Sequence, residues 1–399
     1  MPQINLNLSE KEIFSKYFID LCCDDYIHAN AVGGQSYADE ALRNLNINSY
    51  SKKRNNVYPF EKRGSSMLSP YIRHGLLSLN EVWIGVDKFE YEDKTKFRDE
   101  LLWQEFSRHL YAIIGKNSNK FLNFSIDTTK SQKIKKENMN CLNTIKKELE
   151  STGYMVNQAR MWFASHYSLR VNESWTKYEN YMFRHLVDGS RFANRLGWHW
   201  VMGSQTGKTY GFAKSQVIKR APKLCNDCEL KYNCPIESWP ELIESKYIEK
   251  HIQFNTEKSF GPNEIKEYSN NKPNFVWITA ESMGDNDPAM SFYSDLPIIF
   301  IFDKKLLSKL KLSSKRIIFL LETLKEINRK RELYVYLDNP KNFLNNKNFA
   351  TTFAPVPGYK NITSRNKPNV EFPAKRLVKP IDFYPQSFSS WRKKSILNV

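Results

Sequence analysis

The chain has 399 residues, 60 Lys and Arg against 43 Asp and Glu, and a formal charge of +17, which excludes a single small module and implies two or three domains. The positive excess points to a polyanionic partner, nucleic acid or an anionic membrane surface, unless it reflects only a Lys- and Asn-rich source. No run of about 18 apolar residues occurs and the N-terminus lacks the regions of a secretory signal, so the chain is expected to be soluble and cytoplasmic, with no membrane partner.

In chain order, Leu8 to Lys250 reads as helical, with apolar residues three and four apart in Glu100 to Ile114 and Tyr154 to Tyr167. Strand signals are scarce there. Cys22 and Cys23 fall in an apolar helical stretch and read as packing residues. Lys116 to Asn140 is polar and Lys-rich, an expected exposed loop. Asn255 to Pro273, with Gly, Pro and Asn clusters, is the expected linker. Phe275 to Thr279, Leu296 to Phe302 and Leu333 to Leu337 read as strands around an amphipathic helix, Ser314 to Lys330. That alternation implies a parallel sheet. Asn339 to Val399 is rich in Pro, Asn and Lys and is expected to wrap the surface with one or two further short strands. The fold class is therefore α plus α/β: a helical domain over 1–254, a linker over 255–273 and a Rossmann-like α/β domain over 274–399.

Several clusters could carry chemistry. Gly64-Ser65-Ser66-Met67-Leu68-Ser69-Pro70 sets three hydroxyls before a helical run, which suits either phosphate binding or a plain helix cap. Glu100 and Trp103 share a helical face, as do Asn157 and Met161, with Arg160 adjacent. Cys225, Cys228 and Cys234 have the compact spacing of zinc or iron-sulfur ligands and need a fourth. Nine Trp supply surfaces on which bases or a planar cofactor can stack.

Four blocks in order resemble the photolyase and cryptochrome family. Ser65 to Tyr71 is similar to the family's Thr-Ser-x-Leu-Ser-Pro-Tyr, with Gly33-Gly34 and Tyr50 upstream. Glu100 to Phe106 resembles Glu-Leu-x-Trp-Arg-Glu-Phe, with Gln104 for Arg. Thr152 to Met161 resembles Thr-Gly-Trp-Met-x-Asn-Arg-x-Arg-Met, with Gln158 for Arg. Asp188 to Trp200 resembles Asp-Gly-Asp-x-Ala-x-Asn-x-x-x-Trp-x-Trp, with Ser190 for Asp.

The resemblance implies a helical domain that holds FAD through Tyr50, Ser65, Ser66, Met67, Leu68, Ser69, Arg160, Asp188, Ser190 and Asn194. It implies that Asp188 pairs with Arg160, and that Glu100, Trp103, Asn157, Met161 and Asn194 are the catalytic set. Trp198 and Trp175 match two members of the family's electron relay. The usual terminal Trp is absent near Phe121 and Leu122. Cys141 matches the isolated cysteine of an iron-sulfur branch, so Cys141, Cys225, Cys228 and Cys234 would bind a four-iron, four-sulfur cluster ahead of zinc.

The family's opening α/β motif lies here at Val276 to Met290, followed by Pro297 to Asp303 and Arg316 to Leu324, as in a circular permutation. The motif's Arg residues are replaced by Thr279, Ala280 and Met283, which leaves the antenna chromophore open, none included. The implied function is a deoxyribodipyrimidine photolyase, a carbon-carbon lyase that repairs cyclobutane dimers in UV-damaged DNA and works as a monomer. The alternatives are a cryptochrome-like light sensor, repair of (6-4) photoproducts, which the missing His pair disfavours, and a non-enzymatic iron-sulfur nucleic-acid-binding protein.

Overall fold

A computed structural model describes residues 2–127, 138–171, 173–239, 243–249 and 255–399. Helices form where apolar residues recur every three or four positions, and local caps fix several starts. Ser9 with Glu12, and Ser78 with Glu81, each make a reciprocal capping box. The longest helix, Tyr91–Ile114, runs 24 residues and buries Phe97, Leu101, Phe106 and Leu110 along one side. Gly153, with φ +73, closes the helix Asn140–Thr152.

The sheets comprise β1 (Phe124–Asp127), β2 (Glu244–Tyr247), β3 (Lys266–Glu267), β4 (Phe275–Ile278), β5 (Ile298–Asp303), β6 (Leu333–Asp338), β7 (Phe349–Thr352) and β8 (Val370–Phe372). Six of them form one sheet in the order β3-β8-β7-β4-β5-β6. All pairings in it are parallel except that of β3 with β8. β4 and β7 are buried throughout, as expected of parallel strands covered on both faces. Gln3 adds an antiparallel bridge to Tyr336 on the outer side of β6, with Ile4 N–H donating to Val335 O at 2.8 Å.

The helical and sheet regions share one apolar core that runs from Ile4 through Phe106 and Phe319 to Trp391. Close approach at two glycines permits this. A Cβ on Gly33 would strike Phe319 O and lie 2.7 Å from Thr323 Oγ1, and one on Gly189 would strike the Arg316 guanidinium. Arg316, buried in the helix Ser314–Lys330, donates from Nε to Leu186 O at 2.8 Å. It thereby ties the sheet layer to the end of the helix Trp175–His185.

Four expectations need correction. Strand signals are scarce between Leu8 and Lys250, yet β1 and β2 pair antiparallel there, Phe124 facing Tyr247. Asn255–Pro273 is not a bare linker, because Thr256–Phe260 is helical with Phe260 buried and β3 joins the sheet. Cys22 and Cys23 lie outside any helix: Cys22 bridges Leu312 and Cys23 is exposed. The expected loop Lys116–Asn140 contains β1, while its residues 128–137, like the end of the expected helical domain at 250–254, lie outside the described residues. Of the one or two short strands expected after Asn339, two form, β7 and β8. Among the described residues no helix is long and apolar enough to cross a membrane.

Candidate functional site

One cavity, of ≈ 590 Å³, opens beside the long helix Tyr91–Ile114 and gathers most of the expected site residues. That helix presents Glu100, Trp103, Gln104 and Ser107 to it, positions three and four apart on one face. The same helix also sets Tyr50. Asp93 accepts from Ser49 N–H at 2.6 Å and from Ser51 N–H at 2.8 Å, and Phe97 meets the Tyr50 ring edge-on at 4.9 Å. Burial raises the Tyr50 hydroxyl far above its ordinary range, so it stays protonated.

Ser65, Ser66, Met67 and Ser69 line the cavity just ahead of the helix Ser69–Arg73. Met67 has φ +57, a left-handed backbone that a side chain pays for with about 1–3 kcal/mol and that gathers at functional sites. Leu68 is the exception among the expected cofactor contacts. It does not line the cavity but, at the N-cap of the helix Ser69–Arg73, is 0% exposed in the core.

The helix Asn157–Ser165 contributes Asn157, Arg160 and Met161. Asn157 Nδ2 lies 3.8 Å from Met161 Sδ. Arg160 Nη2 donates to Asp188 Oδ2 at 2.8 Å, and its Nε to Met155 O at 2.8 Å. Asp188 Oδ1 is buried without a hydrogen-bond partner among the described residues. Asn194 Oδ1 accepts from Ser190 N–H at 2.6 Å, and Ser190 Oγ caps the turn by accepting from Ala193 N–H at 3.2 Å. Gly197 also lines the cavity, with nothing within 4 Å of where a Cβ would stand.

Glu100 faces two cations, with Arg54 Nε at 3.5 Å and Lys96 Nζ at 3.7 Å. Trp198 lines the cavity and is buried, and Trp175 stands behind it, outside the lining, at 6.4 Å between rings. Lining residues that the motifs did not single out include Arg54, Tyr154, Phe192, Trp200 and Tyr210. Tyr154 is raised by burial, with Arg160 and Ser65 beside it opposing the rise. Tyr210 accepts from Gln158 Nε2 at 2.6 Å and donates to Gln216 at 2.7 Å. Gln158 was legible only as a departure from a motif, and its partner lies far along the chain.

The four expected metal ligands lie apart from this cavity, around the helices Asn140–Thr152 and Pro222–Asn226. Burial, and then the neighbouring thiols of Cys225, Cys234 and Cys228, push Cys141 up to about 12. Cys141, Cys225 and Cys234 share one apolar cluster, and Cys228 N–H donates to Cys225 O at 3.2 Å. The three-ligand group that closes to within 4.8 Å among the described residues is a different one, Cys23, Asp24 and His185. Asp24 there already accepts from Ser313, Ser314 and the buried Lys315 ammonium at 3.0 Å, so a cation would meet a positive charge.

Residues 97–270 match the family described as the FAD binding domain of DNA photolyase. A deoxyribodipyrimidine photo-lyase of Agrobacterium fabrum is 28% identical over 205 residues, covering 48% of this chain and 42% of that protein. A cryptochrome DASH of Idiomarina loihiensis is 24% identical over 226 residues, covering 51% and 48%. Among solved structures, a bacterial class III photolyase from Agrobacterium tumefaciens aligns with TM-score 0.38 and 24% identity over 47% of this chain and 43% of that one. The chain spans less than half the length of these curated relatives. The matched segment, which resembles the FAD binding domain of DNA photolyase, holds Glu100, Trp103, Asn157, Arg160, Asp188 and Asn194, residues that wall the cavity.

Proposed function

We propose that this protein holds FAD in the large cavity and uses light to split cyclobutane pyrimidine dimers in DNA. One observation carries the reading. The same cavity has Arg160, Asp188 and Asn194 on its wall together with Glu100, Trp103, Asn157 and Met161, so a cofactor-binding set and a base-binding set share one space.

The residues fit a flavin. The unpartnered Asp188 Oδ1 and the open space over Gly197 leave both a polar group and room on the wall. Arg160, Asp188, Ser190, Asn194, Tyr50 and the Ser65–Ser69 hydroxyls would hold it. When bound, reduced FAD supplies a light-driven electron to the dimer. Trp103 offers an apolar face to a flipped pyrimidine pair, and Glu100, which faces Arg54 and Lys96, accepts a hydrogen bond from a base edge. Asn157 and Met161 continue that wall. Trp198 and Trp175 form a two-membered route by which reducing equivalents reach the cavity from the partly exposed Trp175.

The four cysteines would bind an iron-sulfur cluster. Their compact spacing suits an iron-sulfur centre or zinc, and Cys141, in the same apolar cluster as Cys225 and Cys234, supplies the fourth thiolate that either needs. The α/β layer following the helical one, rather than preceding it, is read as a circular permutation of the family order, with 1–254 and 274–399 as the two units.

The test is illumination of FAD-loaded protein with a dimer-containing oligonucleotide. Dimer loss in light and not in darkness is expected, with affinity falling steeply as salt rises because phosphate contacts release counterions. A flavin-loaded protein that leaves the dimer intact overturns the reading. A light-induced spectral change without dimer loss favours sensing, and loss of (6-4) lesions instead moves the substrate assignment.

A further inference from the structure

Trp103 is stacked from behind by Phe388, a residue from the far end of the chain. Their ring centroids are 4.0 Å apart and their planes 10° apart. Trp103 lines the cavity and Phe388 does not. The indole is therefore covered from outside the cavity while remaining part of its wall. Phe388 is fixed in turn. Its helix, Phe388–Lys394, starts at a capping box between Ser387 and Ser390. Trp391, 0% exposed, donates from Nε1 to His109 Nδ1 at 3.2 Å. Phe106 wedges against both aromatics, 5.8 Å from Phe388 and 5.7 Å from Trp391.

We infer that Phe388 is a positioning residue, which holds the Trp103 ring in the orientation that a flipped pyrimidine pair stacks upon. The inference rests on the repair reading given above. A large side chain on a helix facing open space samples several rotamers, and ordering it on binding costs affinity. A parallel ring at stacking distance removes that freedom beforehand and adds the preference of offset aromatic pairs for one orientation. An aliphatic side chain at 388 fills the volume without setting the angle.

The test compares Phe388→Leu and Phe388→Tyr with the parent protein, all loaded with FAD. Trp391 and His109 keep the helix docked in each variant, and equal flavin absorbance and thermal midpoints verify this. Phe388→Leu is expected to weaken binding of dimer-containing oligonucleotide by about tenfold, seen as a raised KM with kcat little changed. Binding of undamaged DNA should stay constant, and Phe388→Tyr should restore discrimination. Undiminished discrimination in Phe388→Leu, or no rescue by Phe388→Tyr, overturns the inference.

A second readout needs no DNA. Iodide quenching of the emission lost in Trp103→Phe reports how freely that ring moves, and Phe388→Leu should increase it. A loosened ring in a protein that never discriminates dimers sinks the repair reading alone. An unaltered ring sinks the role of Phe388 alone.

Discussion

Arg160 and Asp188 meet at 2.8 Å on the cavity wall, and the bond uses only one oxygen of the carboxylate, leaving Oδ1 buried and unpartnered among the described residues. A buried acceptor without a partner costs free energy, so the site is poised for a donor supplied by a ligand. Asp188→Asn removes the charge from this pair while keeping its shape. FAD affinity is expected to fall by about tenfold to a hundredfold, the worth of a hydrogen bond to a charged group, measured by titrating flavin into the apoprotein.

Gly189, next in the chain, sits against the buried guanidinium of Arg316. Gly189→Ala brings a methyl group into collision with it and to 2.6 Å from Phe183 O. The Arg316 bond to Leu186 O would have to break. A loss of about 3 kcal/mol is expected, read as a lower thermal midpoint, and weaker flavin retention should accompany it because Asp188 shares the turn.

His166, at the end of the helix Asn157–Ser165, is buried with Nδ1 unpartnered among the described residues. Burial first, and the Arg170 charge second, push its imidazole down to about 3. An unfolded His titrates near 6.5, so the folded state favours the neutral ring. Its contribution is complete above about pH 6.5 and is lost as pH falls toward 3, at up to about 1.4 kcal/mol per unit. Urea unfolding between pH 7 and 4 should display this slope, and His166→Asn should flatten it.

Cys141 lies on a different helix from Cys225, and Cys228 and Cys234 follow in a turn-rich stretch. A bound cluster would cross-link these segments. Protein prepared without oxygen is expected to contain iron and acid-labile sulfide. Cys225→Ala should lose both and lower the thermal midpoint by roughly 5 °C or more, whereas Cys22→Ala should change neither.

What could be read from the sequence follows from how local the controlling physics is. The strands β4, β5 and β6 announce themselves as apolar runs of buried strand length, and Glu100 and Trp103 share a face because helix geometry alone puts them there. β1 and β2 escape notice because all four residues of β2 are exposed and the pair is joined by hydrogen bonds to a distant partner rather than by an apolar pattern. The buried Phe260 and the pairing of β3 with β8 tie the supposed linker to the folded body through distant partners in the same way. Leu68 shows a further limit: a motif preserves the order of its residues but not which of them turns inward. The Phe388 stack on Trp103 involves no motif, and only the folded chain brings the two rings together.

The bridge from Gln3 to Tyr336, outside the cavity lining, covers part of the outer border of β6. Without residues 2–4, β6 would turn a row of bare amides and carbonyls toward water, the kind of border that recruits a strand from another chain. By laying residues 2–4 along that border the protein shields this edge of the sheet from within, and a substitution such as Gln3→Pro would loosen the seal.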